Sequence, residues 1–406
     1  MRVLMITQLF QPEPNHLKGL EFAKELSRLG HEVEVLTGFP NYPGGRIYSG
    51  YRQRFWQREV LDGIRVTRVP LYADHSSSGF KRILCYVSLA ITICFPGLLL
   101  VRRPDVVHVY QGPATLAMPA MLLRLLFKIP YVLDVQDLWP ESVTSSGMFV
   151  TSRLSFILDL WCKLTHLFAS KIVVLSPGYQ RALAGRGVSP DKIEVVYNWC
   201  GERAASMDNE KCGNDSFGLA DHFSVIYAGN LGKVQALDAV LEAAQILEVS
   251  HPDVLFILVG AGVDSERLQN LCQQKKIKNV LFIPRQPVSE IDRILQKAQV
   301  LLIHLRDDPL CRIGIPQKTQ AYLAAGRPIL VAVKGETADL VARAKGGVAC
   351  EPGNAASIAH AVTELHRLTP RTREEMGRNG RSYYERNLSF VVGVKRMEAV
   401  LKGAAS

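Results

Sequence analysis

The sequence predicts an α/β protein of two domains, each built on a parallel sheet with helices on both faces. Three observations lead to this fold class. With 406 residues, the chain is longer than one hydrophobic core usually supports. Short runs of Val, Ile and Leu alternate with segments of helical period along most of its length. A polar stretch at 201–222 interrupts this alternation, which then restarts.

The first domain is expected to span residues 1–200. It opens with the apolar strand "VLMIT" (3–7), and the segment 17–30 that follows has apolar residues at helical spacing and ends at Gly30. Both features are typical of a strand-helix unit in a parallel sheet. The further strands expected in this domain are 31–37, 64–70, 105–110, 131–135, 171–176 and 193–198.

The second domain is expected at 223–385, after a linker at 201–222 that is rich in Gly, Asn and Ser. A C-terminal helix at about 386–406 is a candidate to pack back on the first domain. The expected strands are 223–230, 254–260, 279–284, 300–305, 328–333 and 346–351, and the expected helices are 236–249, 264–275, 288–297, 317–325, 336–345 and 355–368.

Both domains therefore have a Rossmann-like plan. Ligands of open parallel sheets bind beyond the carboxyl ends of the strands. We expect the two sheets to face each other across a cleft that holds the ligand.

The composition limits the class of protein. An apolar fraction of 48% and a charged fraction of 21% exclude a disordered chain. The net charge is +10, and residues 1–130 carry 16 Lys and Arg against 9 Asp and Glu. This positive field favours phosphates, nucleic acid or an anionic membrane surface. A solvated basic face without a partner is the alternative.

The eight cysteines are scattered, and none forms a C-x-x-C pair. The sequence thus predicts neither a zinc site nor a disulfide framework, and reduced thiols fit a cytosolic protein. The N-terminal "MRVLMITQLFQPEP" becomes polar too early for a secretory signal.

The segment 83–101, "ILCYVSLAITICFPGLLLV", carries no charged residue. Its length reaches the lower limit for a spanning helix, about 17–25 residues. Pro96 and Gly97 interrupt it, and a strand follows at once. A helix that is buried or lies on a membrane is therefore favoured over one that spans it.

Two glycine-rich turns follow strands of the second domain. "YAGNLGK" contains Gly229, Asn230 and Gly232, and "LVGAG" contains Gly260. Glycines at such strand ends let backbone N–H groups and a helix N-terminus approach a phosphate closely. A turn that needs glycine for its geometry alone is the alternative reading.

Lys318 lies at the start of the helix in "IPQKTQAYLAAGRPIL" (315–330). A cation is usually unfavourable at the positive end of a helix dipole. The sequence predicts that Lys318 faces the glycine turns and attracts a pyrophosphate together with the dipole. A surface lysine is the alternative.

Acidic residues follow a strand of the first domain in "VLDVQDLWPES" (132–142). Asp137 is the first candidate for contact with a sugar or acceptor hydroxyl, and Glu141 is the second. Asp137 is also placed to cap a helix. No D-x-D pair is positioned to require Mn²⁺ or Mg²⁺, so no metal is expected.

Eight segments occur in one order along the chain: "GHEVEVLT", "PDVVHV", "VQDLWPES", "VVLSPG", "KIEVVYNW", "YAGNLG", "LVGAG" and "IPQKTQAYLAAGRPIL". In this order they resemble the large retaining glycosyltransferase family 4, whose architecture is GT-B. The resemblance runs from about residue 2 to 385. "DLWPES", "NW" and "IP-x-KT-x-x-YLAAG-x-P" most resemble bacterial O-antigen and capsule transferases, including those that add N-acetyl-L-fucosamine.

This resemblance implies transfer of N-acetyl-L-fucosamine or a related N-acetyl sugar from a UDP-sugar to a polyprenyl-diphosphate-linked acceptor. It implies a cytoplasmic enzyme, peripheral on the inner face of the bacterial plasma membrane, with no cofactor and no nucleic acid partner. The first domain would bind the acceptor and the second the donor.

The resemblance also assigns individual contacts. The turn Gly229–Gly232 would approach the donor phosphates, and Gly260 would line the nucleotide pocket. The backbone of Arg285 would lie near the base, Lys318 would face the pyrophosphate, and Gly19 of the first domain would lie against the donor.

Four residues depart from the family pattern. Asn230 and Gln235 stand where many relatives have Arg and Lys, Ala321 replaces a glutamate that binds ribose, and Gln136 replaces a histidine near the reacting sugar.

Two alternatives to a transferase remain open. One is a UDP-sugar 2-epimerase of GT-B fold, and the other is a non-catalytic partner in polysaccharide assembly. No G-x-G-x-x-G with a later acidic residue indicates a dehydrogenase.

Overall fold

The computed structural model describes residues 1–15, 17–76, 78–141, 152–201 and 222–406. The chain forms two compact units, one of Met1–Tyr197 with Gly393–Ser406 and the other of Asn198–Val392. The predicted linker at 201–222 lies outside the described residues except for its first and last residue.

The N-terminal unit contains an eight-stranded sheet of order β3-β4-β2-β1-β5-β6-β7-β8. Seven strands are parallel, and all of them except the short edge strand β8 are mostly buried, in line with their continuous Val, Ile and Leu runs. The strands are β1 (Arg2–Thr7), β2 (Glu32–Gly38), β3 (Gln57–Leu61), β4 (Ile64–Val69), β5 (Val106–Gln111), β6 (Tyr131–Val135), β7 (Lys171–Val174) and β8 (Ile193–Val195).

The edge strand β3 is antiparallel to β4, which corrects the expectation of a purely parallel sheet. Asp62 and Gly63 join the two strands and have φ angles of 47° and 84°. An Asp-Gly pair adopts such positive φ values readily, and it is a strong hairpin signal when strands flank it. Because the side chains of β3 are half exposed and form no apolar run, this turn was the only sequence signal for the strand.

Helices of the N-terminal unit connect the parallel strands. The first begins at Leu20 with Phe22, Ala23 and Leu26 buried against the sheet, as the periodicity predicts. The C-terminal helix returns to this unit, where Glu398 lies 2.8 Å from His31. The helices are Leu20–Arg28, Gly79–Thr92, Ala117–Phe127, Ser152–Phe168, Pro177–Gly185 and Phe390–Ala405, with a π-helical turn Ile93–Gly97 and the short Leu98–Leu100 after the second.

The C-terminal unit contains a six-stranded sheet of order β11-β10-β9-β12-β13-β14, with every pairing parallel. Its strands are β9 (Phe223–Ala228), β10 (Val254–Val259), β11 (Val280–Ile283), β12 (Val300–His304), β13 (Ile329–Ala332) and β14 (Gly347–Ala349). The helices are Asp238–Ser250, Ser265–Gln274, Val288–Lys297, Pro309–Ile313, Lys318–Ala325, Glu336–Arg343, Ala355–Arg367 and Pro370–Asn387.

The predicted fold class, two α/β domains on parallel sheets, is thereby confirmed. A core of side chains from β9, β10 and β12 packs against the helices Asp238–Ser250 and Ala355–Arg367 on one face of the second sheet. All predicted strands of this unit are present within a few residues of their expected ends.

Candidate functional site

The candidate donor site lies at one edge of the C-terminal sheet. Gly229 follows β9, Gly260 follows β10, and Arg285 follows β11 by two residues. Because these three strands are parallel neighbours, their carboxyl ends lie side by side. The structure therefore brings the predicted residues of three separate segments together.

The two glycine turns interlock through their backbones. The Leu231 N–H donates to Ala261 O at 3.0 Å, and the Asp264 N–H donates back to Leu231 O at 3.0 Å. A Cβ on Gly260 would lie 1.9 Å from Gly229 O, which is far inside van der Waals contact. Gly229 and Gly260 also have φ angles of 148° and 147°, which only glycine adopts readily. Turn geometry is therefore one reason for these glycines.

Most backbone donors of the first turn already have partners. The Gly229 N–H donates to Val259 O at 2.9 Å, and the Gly232 N–H donates to Gln235 Oε1 at 3.1 Å. With the Leu231 amide also engaged, three amides of the predicted phosphate cradle serve the turn itself. The Asn230 side chain donates weakly to the same Gln235 oxygen, at 3.4 Å. The attraction for an anion at this turn must then come mainly from another group.

Lys318 is the candidate for that group. Its helix is fixed to the end of β9 by Tyr322, whose hydroxyl accepts from the Ala228 N–H at 2.7 Å and donates to Ala228 O at 3.2 Å. Residues four apart share one helix face, so Lys318 lies on the same side as Tyr322. A Cβ on Gly229 would be 3.0 Å from Lys318 Nζ, so this glycine leaves the space that the ammonium occupies.

The Lys318 ammonium has no carboxylate partner within the part of the chain that the structure describes. It lies 3.5 Å from the centroid of the Tyr227 ring, and Nζ is buried without a hydrogen-bond partner among those residues. The negative face of an aromatic ring attracts a cation. Burial nevertheless lowers the pKa of Lys318 to about 7. An anion that paired with this ammonium would relieve the cost of burial.

Two further side chains hold the floor of this site. Tyr227 donates its hydroxyl hydrogen to Asn230 O at 2.7 Å, which ties the ring to the glycine turn. His304 Nε2 accepts from the Gly353 N–H at 3.1 Å, so the proton is on Nδ1, which lies 2.7 Å from Gln235 O. Burial lowers the pKa of His304, and the nearby Lys318 acts in the same direction. The histidine is therefore neutral and fixes the loop after Gly232.

Arg285 is exposed, and its side chain makes no hydrogen bond or ion pair with the described residues around it. Its position next to the end of β10 comes from the Gly260 N–H, which donates to Ile283 O at 2.9 Å. This pairing places the Arg285 backbone beside the end of β10. The contact of that backbone with a base stays a prediction.

In the N-terminal unit, the end of β6 carries a buried charged cluster that the sequence interpretation missed. Asp134 Oδ2 lies 3.7 Å from Lys18 Nζ and 3.2 Å from His108 Nε2, and all three side chains are buried. Gln136 Nε2 donates to Asp134 Oδ1 at 2.5 Å. Burial alone would raise the pKa of Asp134, but these neighbours together lower it. In the sequence, the available signals for this cluster were His108 in the strand "DVVHVY" and Lys18 directly before Gly19.

Asp137 and Glu141 have different surroundings. Asp137 is exposed and makes no hydrogen bond or ion pair with the described residues, and desolvation by the protein around it raises the pKa of its carboxyl. The helix-cap alternative therefore gains no support from its contacts. Glu141 Oε1 lies 2.5 Å from Arg186 Nη2, and Arg186 Nη1 donates to Trp139 O at 2.9 Å. Glu141 thus has a structural partner, which weakens its assignment as a reacting group.

Gly19 precedes the helix Leu20–Arg28, and a Cβ there would lie 2.1 Å from Asn15 O. This close approach requires glycine whether or not a ligand binds. Among the described residues, no group of three His, Cys, Asp or Glu side chains is arranged to hold a metal ion. The described cysteines are free thiols.

Two family models match the chain in tandem. One, described as a glycosyl transferase 4-like domain, matches residues 20–199, and the other, described as glycosyl transferases group 1, matches residues 216–383. The first match falls in the N-terminal unit apart from its last two residues, and the second falls in the C-terminal unit.

Curated proteins and solved structures also resemble the chain. A putative colanic acid biosynthesis glycosyl transferase, WcaI of Escherichia coli K12, is 26% identical over 83% of this chain and 84% of that protein. The probable glycosyltransferase WbjE of Pseudomonas aeruginosa is 24% identical over 74% and 75%. Anabaena Alr3699/HepE, solved in complex with UDP and glucose, has a TM-score of 0.72 at 14% identity and covers 99% of both chains. At 14% identity, the similarity to the HepE structure shows the fold alone.

Proposed function

We propose that this chain, which belongs to the glycosyltransferases of GT-B fold, transfers a sugar from a UDP-sugar to a polyprenyl-diphosphate-linked acceptor. The product would be part of a bacterial surface polysaccharide, such as an O-antigen or a capsule. N-acetyl-L-fucosamine or a related N-acetyl sugar is the proposed donor sugar, with retention of the anomeric configuration. Support comes from the names of the colanic acid and WbjE relatives and from the UDP in the HepE complex.

The observation that carries this proposal is the environment of Lys318. A buried ammonium without a carboxylate partner among the described residues is costly unless an anion joins it. Lys318 contacts the Tyr227 ring, lies beside Gly229 and is placed at the carboxyl ends of β9 and β12. These features fit a site for a diphosphate.

In the proposed reaction, the bond between the anomeric carbon and the UDP oxygen breaks, and the UDP keeps the electron pair. The acceptor oxygen forms the new bond to the anomeric carbon, and its proton passes to the departing UDP oxygen. Lys318 would stabilise the negative charge that develops on the departing diphosphate, with no metal and no resident cofactor. Asp137 would accept a hydrogen bond from a sugar or acceptor hydroxyl. Gly19, Gly229, Asn230, Gly232, Gly260 and Arg285 stay proposed donor contacts.

The test is calorimetric titration with UDP and a UDP-sugar panel. We expect Lys318→Met to weaken UDP binding by about 10–100-fold, because a charge-assisted contact is lost while the side-chain volume is kept. Lys275→Ala is the matched control, since Lys275 only pairs with Glu242 on the surface of the same unit. Equal UDP affinity in Lys318→Met and the wild type would overturn the phosphate role.

Activity is then assayed with the donor panel and a polyprenyl-diphosphate-linked acceptor. Formation of an epimer from a UDP-sugar alone would identify an epimerase instead. Absence of UDP binding at millimolar concentration would favour the non-catalytic assembly partner.

We also propose a cytoplasmic location with peripheral attachment to the inner face of the plasma membrane. One described helix, Gly79–Leu100, has the length and apolar composition of a membrane span. A third of its most apolar window is buried in the protein, and Cys85, Leu89 and Ala90 pack into the core. These contacts support a helix that stays on the protein rather than one that crosses a bilayer.

A further inference from the structure

Exposed large apolar side chains are concentrated on three helices of the N-terminal unit. Of the 25 such side chains among the described residues, fifteen lie on Gly79–Leu100, Ala117–Phe127 and Ser152–Phe168. They are Phe80, Ile83, Leu84, Val87, Ile91, Phe95, Leu99, Leu125, Leu126, Phe127, Phe156, Ile157, Leu160, Leu164 and Leu167. Patches of this extent are unusual on a soluble monomer and mark interaction sites.

The three helices lie next to one another on one face of the sheet. Their connections β4 to β5, β5 to β6 and β6 to β7 all advance across the sheet in the same direction, so right-handed crossovers place them together. Contacts agree with this: Trp161 Nε1 donates to Ala114 O at 3.0 Å, and Thr115 Oγ1 donates to Tyr86 O at 3.1 Å. We refer to the outer surface of these helices as the three-helix face.

The charges on this face have one predominant sign. The three helices contain a single carboxylate, Asp159, and it lies 2.8 Å from Lys163. Arg82 and Arg124 add positive charge along the same helices, and Lys81 lies 3.8 Å from Asp74, which precedes the first of them. An apolar surface bordered by Lys and Arg is complementary to a bilayer with anionic headgroups. A second copy of the chain is a poorer match, because two such faces would bring like charges together.

An aromatic and basic pair adjoins one end of the face. Trp56 is 45% exposed, and the Arg58 guanidinium lies 5.5 Å from its ring centroid. Arg58 also donates to Leu100 O, which places the pair at the carboxyl end of the helix Gly79–Leu100. Phe55 beside it is 85% exposed. Trp with a neighbouring cation is typical of the headgroup region of a membrane.

We propose that the three-helix face lies flat on the anionic bilayer, with its apolar side chains among the upper acyl chains and its Lys and Arg at the headgroups. This inference deepens the proposed membrane attachment and rests on the proposed lipid-linked acceptor. It adds the helices Ala117–Phe127 and Ser152–Phe168 as contacts that the hydropathy of 83–101 does not suggest.

The test uses the full chain and co-sedimentation with vesicles of phosphatidylcholine, with and without phosphatidylglycerol. We expect binding to the mixed vesicles and at least about ten-fold weaker partitioning for Phe156→Ser/Leu160→Ser, because both side chains would leave the acyl region. Ile246→Ser/Val249→Ser is the matched control, since these are exposed apolar side chains of one helix in the C-terminal unit. The control should bind as the wild type does.

UDP titration of each variant separates this inference from the donor proposal. Unchanged UDP affinity with lost vesicle binding supports the three-helix face. Vesicle binding of Phe156→Ser/Leu160→Ser equal to that of the control would overturn it. A wild type that binds neither kind of vesicle would also overturn it. If that wild type forms dimers that the same double variant dissociates, the face belongs to a second copy of the chain.

Discussion

Among the described residues, each unit encloses a lysine ammonium, and the two groups differ in what they face. Lys18 in the N-terminal unit lies 3.7 Å from the buried carboxylate of Asp134. Lys318 in the C-terminal unit faces the Tyr227 ring and has no carboxylate among the described residues. Burial lowers the pKa of both. We infer from this comparison that a buried charge with an internal counter-ion stabilises the fold, whereas a buried charge without one is available to bind a ligand.

The strongest test of this comparison removes each lysine in turn. Lys18→Met removes the cationic partner of the buried Asp134 and leaves it with His108 and Gln136, so we expect a loss of about 3–5 kcal/mol in the free energy of unfolding. Lys318→Met leaves no unpaired carboxylate behind, and we expect no loss of stability at pH 7. Urea unfolding of both variants measures the difference. Equal destabilisation by the two substitutions would break the distinction.

The pH dependence of Lys318 sharpens the same contrast. Burial places its pKa in the folded protein at about 7, below the ordinary lysine value of 10.5, so the unfolded chain binds more protons between these values. Stability of the ligand-free protein should therefore rise with pH across that window, by up to about 2 kcal/mol between pH 7 and 9 relative to Lys318→Met.

UDP affinity should change with the opposite sign. The ammonium loses its proton as the pH rises above 7, while the phosphate, with a second pKa of about 6, stays fully charged. Calorimetric titrations between pH 7 and 9 should show weakening affinity in the wild type and a flat profile in Lys318→Met. A flat wild-type profile would contradict the role of Lys318.

The two acids near the end of β6 extend the comparison to negative charges. Asp137 has no partner among the described residues, and Glu141 is paired with Arg186. We expect Asp137→Asn to lower kcat/KM about ten-fold or more, because a hydrogen bond to the charged carboxylate is lost. Glu141→Gln should change it little and lower the melting temperature slightly. Reversed effects in steady-state assays would assign the reacting role to Glu141.

The smallest expected effect concerns Tyr227. Tyr227→Leu removes the ring below the ammonium, and we expect UDP affinity to fall about 3–10-fold as the Lys318 pKa drops further. Tyr227→Phe keeps the ring and loses only the hydroxyl bond to Asn230, so it serves as the matched variant. The pH midpoint of UDP binding should move to lower pH in the Leu variant alone. Identical midpoints in both would exclude a contribution from the ring.

The sequence was sufficient for the main elements of the fold because buried parallel strands read as unbroken apolar runs. It failed at β3, whose side chains are half exposed and show no such run, so the Asp62-Gly63 turn was the only clue. The carboxyl ends of β9 and β10 could be predicted to meet because consecutive parallel strands are usually neighbours in a sheet. The pairing of β12 with β9 rather than with β11 could not be predicted in this way.

The site was less accessible to sequence reasoning. Lys318 was identified from its place at a helix start, but its partner could not be, because Tyr227 is 91 positions away and looks like any core residue of β9. The Lys18–Asp134 pair was missed for the same reason. The engaged amides of Gly229 and Gly232 depend on the Gln235 side chain and on a neighbouring strand, which no local pattern discloses.

The interlocked turns at Gly229 and Gly260 have a practical consequence for protein engineering. Since Gly229 O occupies the space that a side chain on Gly260 would need, the second loop cannot gain a side chain there unless the first loop moves. A library aimed at new sugar nucleotides should transplant both loops from a single homologue, or leave both intact and randomise positions outside them.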